Sequence, residues 1–222
     1  MRLLRQAWKV HLLPSQNHGK QSIINIPMDN PRVEADVRRL AERLGQLPEP
    51  EAQPVFIVVS GLPGTGKSYL SRRMAGRLGY PVLESDALRK QLFRKPTYSA
   101  IESGILFRDI HRLIEELLAK GISLILDATN LTERYRERLY KIAEKHGARL
   151  ILAQTKAPPE VVRERLKNRG EKRRNGDSSD ADWEVYQKLS TTAEKISRKH
   201  YMVDTSRDIT PAVDKIVREA RR

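Results

Sequence analysis

Apolar residues along the chain recur in two rhythms. Five short runs read as strands: VFIVVS from Val55, PVLES from Pro81, ISLILDATN from Ile122, ARLILAQT from Ala148 and HYMVDTS from His200. The first is almost wholly apolar, which is the pattern of a central parallel strand buried on both faces. Between the runs, apolar positions return at three- and four-residue intervals, the signature of amphipathic helices. One such helix follows residues 61–68 and reaches about Leu78. A long one covers roughly 99–119, with Ile101, Ile105, Ile110, Leu113, Ile114 and Leu117 on one side. Another, capped by Thr132, carries Tyr135, Leu139, Ile142 and Ala143 and closes at Gly147. Pro158-Pro159 opens a fourth, ending near Gly170. Trp183, Tyr186, Leu189, Ala193 and Ile196 mark a fifth, and Ile209, Val213, Ile216, Val217 and Ala220 a last one.

Strand and helix alternate throughout, which predicts an α/β fold with a parallel sheet sandwiched between helices. The first thirty residues show no steady period and read as an extension, with Met28 an alternative natural start. Asn30 as cap and Pro31 in the first turn announce a helix through Val33, Val37, Leu40, Ala41 and Leu44, stopped by Gly45. The Pro-rich stretch LPEPEAQP then reads as a linker. The chain divides, on this pattern, into an extension over 1–50 carrying one accessory helix and a main domain over 51–222.

The junction of the first strand and its helix carries the clearest chemistry. Gly61-Leu62-Pro63-Gly64-Thr65-Gly66-Lys67-Ser68 satisfies G-x-x-x-x-G-K-[ST], with an apolar strand before it and a helix after it. Glycines let backbone N–H groups converge on phosphate oxygens where a side chain would collide. The helix that follows points its positive end at the same oxygens. Lys67 is placed to reach the β- and γ-phosphates of a nucleotide, and the Ser68 hydroxyl to bind Mg²⁺. The nucleotide-binding set is Gly61, Pro63, Gly64, Thr65, Gly66, Lys67, Ser68 and Tyr69, and the expected ligand is ATP with Mg²⁺.

In open α/β sheets ligands sit beyond the carboxyl ends of the strands, and Asp86 and Asp127 fall at such ends. Asp127 ends the run ISLILD and should lie beside the phosphate loop, where a carboxylate holds Mg²⁺; the alternative is a cap or turn residue in Asp-Ala-Thr-Asn. Asp86 follows the second strand. It suits a general base that accepts the proton of an attacking hydroxyl, or equally a cap for a helix beginning at Ala87. Arg89, one turn further on, is placed to hold an anionic group of an acceptor. Arg165 and Arg169 are four residues apart on a helical stretch and share a face. They suit a lid over a triphosphate, against a solvated basic face as the alternative. The polar, basic segment 171–180 beside them, with Arg173-Arg174, reads as a mobile loop. His111 reads as packed or partly exposed, His146 as a helix-end residue, and Trp183 with Tyr186 as a core stripe rather than a base-stacking platform.

Charge adds a bias. The chain carries 42 Lys+Arg against 28 Asp+Glu, a formal net charge of +14 in 222 residues. That excess favours anionic partners such as nucleotides, nucleic acid or acidic lipid, although a basic surface alone is weak evidence. The chain contains no cysteine, which excludes disulfides, thiolate zinc sites and a cysteine nucleophile. No apolar run approaches the roughly 20 residues of a membrane span, and the basic start lacks a signal-peptide pattern; the cytoplasm is the expected location.

Four segments together resemble one family. SGLPGTGKS, SDALRKQL, LILDATNL and RERLKNRG, in this order and rough spacing, are similar to the P-loop kinase family that includes phage-type polynucleotide 5′-hydroxyl kinases. The chain resembles still more the small ATP-binding domains fused to or encoded beside aminoglycoside-phosphotransferase-like proteins, with gluconate kinases and zeta-toxin-type kinases more distant. The resemblance implies a five-stranded parallel sheet of order 2-3-1-4-5 with a helical lid. It implies Lys67 and Ser68 at phosphate and metal, Asp86 as base, Arg89 and Asn130 at the acceptor, and Arg165 and Arg169 over the ATP phosphates. One departure is Ala128, which makes Asp-Ala-Thr-Asn of the family's Asp-Thr-Asn and loosens the roles of Thr129 and Asn130. The expected activity is transfer of the γ-phosphate of ATP to a hydroxyl, on a nucleic-acid 5′ end or on a small alcohol. The alternatives are a nucleotide-hydrolysing switch without acceptor and an interaction protein with a vestigial loop.

Overall fold

The computed structural model of the chain describes residues 31–171 and 181–222, with side chains up to residue 168 in the first stretch. The expectations for residues 1–30, including Met28 and the Asn30 cap, lie outside the described residues, as do those for the side chain of Arg169 and for Arg173-Arg174. In chain order the elements are α1 (Pro31–Ala41), a short 3-10 turn (Glu42–Leu44), β1 (Val55–Ser60), α2 (Lys67–Leu78), β2 (Val82–Glu84), α3 (Ser85–Leu92), α4 (Ala100–Ala119), β3 (Leu124–Asp127), α5 (Glu133–Lys145), β4 (Arg149–Lys156), α6 (Pro159–Glu171), α7 (Trp183–Ser190), β5 (Tyr201–Asp204) and α8 (Thr210–Ala220). The five strands form one sheet in the order β2-β3-β1-β4-β5, and every pairing is parallel.

The strand β1 explains why the sheet has two covered faces. All six of its residues are buried. Phe56 and Val58 face a core shared with α1, α3, α4 and α5. Val55, Ile57 and Val59 face the other core, built with α2 and α8. Period-two alternation thus survives in a run where both faces are dry, which is why the sequence looks continuously apolar. Among the described residues no helix is long and apolar enough to cross a membrane.

The helix expected to be accessory is built into the first core. Val33, Val37 and Leu40 are 0–3% exposed and pack with residues of α3 and α4. The segment that links it to β1 is also fixed. The Glu51 amide donates to the Gly121 carbonyl at 2.8 Å, and the Ser123 hydroxyl donates to the Glu51 carboxylate at 2.7 Å. The Val55 amide donates to the Ser123 hydroxyl at 2.8 Å.

Several local expectations are corrected. The helix α7 stops at Ser190, so Ala193 and Ile196 are not helical. Trp183 and Tyr186 are half-exposed and stack on each other with ring centroids 4.8 Å apart, rather than lining the core. Ile101 is 67% exposed, while its neighbour Glu102 is buried; the carboxylate is drawn inward by Arg89. Tyr135 is exposed as well. Thr132 precedes α5 but its side chain does not cap it. The Glu194 carboxylate does so from across the fold, accepting from the Glu133 amide at 2.6 Å.

His111 is buried within α4. Burial pushes its pKa down from the usual 6.5 to about 3, with a smaller contribution from Arg138. The folded imidazole therefore stays neutral while the unfolded one charges. Its stabilising effect is complete above pH 6.5 and is lost as pH falls toward 3. Between pH 7 and pH 5 this single group is expected to cost about 2 kcal/mol. Urea titrations at the two pH values should show His111→Leu losing less stability than the parent; an equal loss would contradict the buried neutral state. In the same assay Leu40→Ala is expected to cost about 2–5 kcal/mol, the price of a core cavity, whereas a value under 1 kcal/mol, the scale of a surface site, would make α1 peripheral.

Candidate functional site

The site lies where the carboxyl ends of β2, β3 and β1 meet the start of α2. The loop 61–66 leaves β1 and turns into α2 at Lys67. Its glycines are there because the space is full. Gly61 has φ +153°, and a Cβ on it would meet the Thr155 carbonyl at 2.8 Å and the Thr65 hydroxyl at 2.8 Å. Gly64 has φ +79°, and a Cβ there would meet Val162 at 2.7 Å and Leu166 at 3.1 Å on α6. The Gly61 amide donates to the Thr129 carbonyl at 3.2 Å, beyond β3. The Thr65 hydroxyl donates to the Leu62 carbonyl at 2.7 Å and meets the Thr155 hydroxyl at 2.8 Å. The loop is therefore preformed by packing and by its own hydrogen bonds.

Lys67 is half-buried at the head of α2, and its Nζ donates to the Leu62 carbonyl at 3.3 Å. Across from it, Asp127 closes β3, in register with Val59 of β1 and with Glu84 of β2. Asp127 is only 2% exposed. Burial pushes its carboxyl up to about 6, and Lys67 and the Ser68 hydroxyl pull in the opposite direction. Glu84 and Asp86 also press on it with like charge, so the three carboxyls face one region. Glu84 is the member of this group that sequence reading missed. Its only signal is its place as the last residue of a strand beside Asp127.

The donor set fits Mg²⁺. Asp127 Oδ2 is buried with no hydrogen-bond partner, and Ser68 supplies a hydroxyl to the same carboxylate. Both are hard oxygen ligands of the kind Mg²⁺ takes, in small number and with phosphate and water completing the shell. Among the described residues no group of three or more His, Cys, Asp or Glu is arranged to hold an ion alone.

Asp86 sits inside the first turn of α3, which begins at Ser85; Glu84 occupies the cap position and makes no side-chain cap bond. A helix that starts earlier than Ala87 leaves Asp86 without the capping role, half-exposed beside Asp127. Arg89 is buried at 6% exposure. Its guanidinium is held by Glu102, donates to the Ser103 hydroxyl at 3.3 Å and lies over the Tyr98 ring at 4.8 Å. Glu102 in turn accepts from the Thr97 amide at 2.6 Å and the Thr97 hydroxyl at 2.8 Å. Arg89 thus organises the turn before α4. Asn130 is buried with φ 45°, and its side-chain amide donates to the Val59 carbonyl at 3.5 Å.

On the other side of the loop, Arg165 of α6 donates to the Thr205 hydroxyl at 2.8 Å, to the Thr205 carbonyl at 2.6 Å and to the Gly64 carbonyl at 3.4 Å. It touches the rim of the phosphate loop directly. Tyr69 is 47% exposed and points away from the core. A cavity of about 190 Å³ opens next to the loop, lined among others by Leu62, Asn130, Gln154, Lys156 and Tyr186.

Comparison with known proteins bears on the family and the fold. The family model described as an AAA domain matches residues 56–196, more than half of the chain. The chain is 25% identical over 162 residues to an L-seryl-tRNA(Sec) kinase from Methanococcus maripaludis, covering 72% of this chain and 61% of that protein. It therefore spans less than two thirds of that relative's length. It is 30% identical over 142 residues to a UPF0200 protein from Aeropyrum pernix, covering 59% of this chain and 70% of that protein. Among solved structures, a gluconokinase from Sinorhizobium meliloti superposes with a TM-score of 0.51 at 25% identity, covering 77% of this chain and 91% of that one. The family model ends at residue 196, before β5 and α8, yet both complete the fold and Thr205 between them holds Arg165.

Because no side chain fits at Gly61, Gly61→Ala is expected to cost at least about 1–3 kcal/mol in backbone strain and to abolish saturable nucleotide binding. Thermal melts with and without ATP and Mg²⁺ check both parts. A variant that melts like the parent and keeps its ATP-induced shift would contradict a tightly packed loop.

Proposed function

We propose that this chain, which belongs to the AAA domain family, is an ATP-dependent kinase that transfers the γ-phosphate of ATP to a hydroxyl group. The observation that carries the reading is the meeting of Lys67, Ser68, Asp127 and Asp86 at one end of the sheet. A loop that only bound nucleotide would have no use for Asp86, a half-exposed carboxylate free of capping duty beside the phosphate site. Kinase relatives and the gluconokinase-like fold support the same class of chemistry.

On this reading the amides of loop 61–66 and the start of α2 hold the ATP phosphates, and Lys67 neutralises charge between the β and γ groups. Ser68 and Asp127 would hold Mg²⁺, which when bound screens the phosphates and stabilises the departing ADP. Asp86 accepts the proton of the attacking hydroxyl. The acceptor oxygen forms its bond to the γ-phosphorus as the bond from that phosphorus to the β–γ bridging oxygen breaks, and the electron pair leaves with ADP. Positioning and charge stabilisation supply most of the rate in such transfers. Arg165 serves from the rim of the loop, exchanging its hold on Thr205 for a phosphate oxygen, and Arg169 accompanies it on α6. Arg89 and Asn130 serve the acceptor side, Arg89 by fixing the turn at Thr97 and Tyr98. The acceptor is a nucleic-acid 5′-hydroxyl, which the net charge of +14 favours, or a small-molecule alcohol; salt-dependent oligonucleotide affinity would select the first.

Incubation with γ-labelled ATP and a panel of hydroxyl acceptors tests the assignment. Label should pass to an acceptor, and Asp86→Asn should slow transfer by about 10²–10⁴-fold while leaving ATP affinity within a factor of about three, since a base acts on the barrier and not on nucleotide binding. Label released only as free phosphate would make the protein a nucleotide hydrolase. Full activity in Asp86→Asn would remove the base.

A further inference from the structure

Arg136 is a charge that the transfer chemistry above does not use, although it is only 1% exposed. Its Nε donates to the Glu133 carboxylate at 2.7 Å and its Nη1 to the Asn130 carbonyl at 2.7 Å. Its Nη2 donates to the carbonyls of Glu194 at 3.1 Å and Lys195 at 2.8 Å. Three of the four acceptors are backbone, so this arginine shapes chain path rather than pairing charge alone.

The Asn130 carbonyl is the informative partner. Asn130 has φ 45°, a left-handed conformation that costs most side-chain-bearing residues about 1–2 kcal/mol and that asparagine adopts at a smaller cost. At Asn130 the surroundings fix that conformation through several bonds. Here the Ser60 hydroxyl donates to the same carbonyl at 3.4 Å, and the Asn130 side chain returns a bond to the Val59 carbonyl. The preceding residue, Thr129, receives the Gly61 amide. The turn 128–131 therefore joins three things: the end of β3 with Asp127, the end of β1, and the first glycine of the phosphate loop. Rotating Asn130 out of its conformation would move Asp127 and Gly61 together.

We propose that Arg136 is a positioning residue for phosphoryl transfer: by holding the Asn130 carbonyl it keeps Asn130 in its left-handed conformation and so fixes Asp127 and Gly61 at the ATP phosphates. This rests on the kinase reading, but its effect on ATP affinity can be measured without any acceptor. Misplacement by about 1 Å at such a site is costly to rate.

The test is a double-mutant cycle on the full chain with Arg136→Lys, Asn130→Gly and the pair. Lysine keeps the charge but has no fork to span four acceptors. Glycine adopts positive φ without steric cost, so it removes the need for a clamp at residue 130. It cannot repair the ties to residues 194 and 195. Melting temperature, Kd for ATP with Mg²⁺, and kcat/KM are read for each protein. Arg136→Lys is expected to lower kcat/KM about 10–100-fold in the parent background and less than about 5-fold in the Asn130→Gly background, with the same pattern of coupling in the ATP Kd. Equal losses in the two backgrounds, or a lowered melting temperature with unchanged kcat/KM, would reduce Arg136 to a structural tie and overturn the proposal. If the parent itself transferred no phosphate, the kinase reading would fail, and the Kd cycle would still decide the role of Arg136. Should Arg136→Lys not fold, Glu133→Ala, which removes the side-chain acceptor that orients the Arg136 Nε, replaces it in the same cycle. Coupling to Asn130→Gly supports the proposal and its absence overturns it.

Discussion

The phosphate loop is a stretch of backbone packed too tightly for side chains. Thr155 of β4 presses on Gly61, and Val162 and Leu166 of α6 press on Gly64. Thr205, beyond β5, fastens the loop by donating to the Thr65 carbonyl at 2.8 Å. Each neighbour comes from a different part of the chain, so the loop has its shape only when sheet, α6 and the β5–α8 connection are all in place. Preorganised amides are what make a polyphosphate site effective, because no reorganisation is needed when the anion arrives. The fold is in this sense a device for holding the loop 61–66 still.

The same constraint accounts for the electrostatics. A carboxylate as buried as Asp127 is costly to ionise, and its pKa is displaced upward accordingly. Lys67 and Ser68 offset part of that cost, and an unpartnered Oδ2 leaves room for a cation to offset the rest. The strain and the buried charge are concentrated within a few residues of the loop, where proteins commonly place both.

Much of this was legible in the residues because two signals were local. A strand buried on both faces must be apolar throughout, so Val55–Ser60 stood out. A loop that binds phosphate through its backbone needs glycine at fixed intervals, so residues 61–68 stood out too. The parallel order came from the family pattern and the structure has it. What escaped were features that exist only after distant segments meet. Glu102 is buried, while Ile101 beside it is exposed, because Arg89 waits in the core. Glu194 caps α5 in place of Thr132, which no spacing rule suggests. The helix α7 ends at Ser190 although apolar residues continue at helical intervals, because the segment beyond it runs to α5 and bonds there through Arg136. Arg136 carries no signal in the sequence that separates it from the other cations of α5.

Everything proposed for this chain requires the loop after β1 to bind the phosphates of ATP through its backbone and Lys67, with Mg²⁺. Calorimetric titration of the full chain with ATP and Mg²⁺, beside the Lys67→Met variant, tests it most directly. Saturable binding at one site per chain is expected in the parent, weakened by at least about tenfold in the variant, whose missing charge contact is worth about 1.4 kcal/mol or more. No saturable uptake by the folded parent, or equal affinity in the variant, would contradict it.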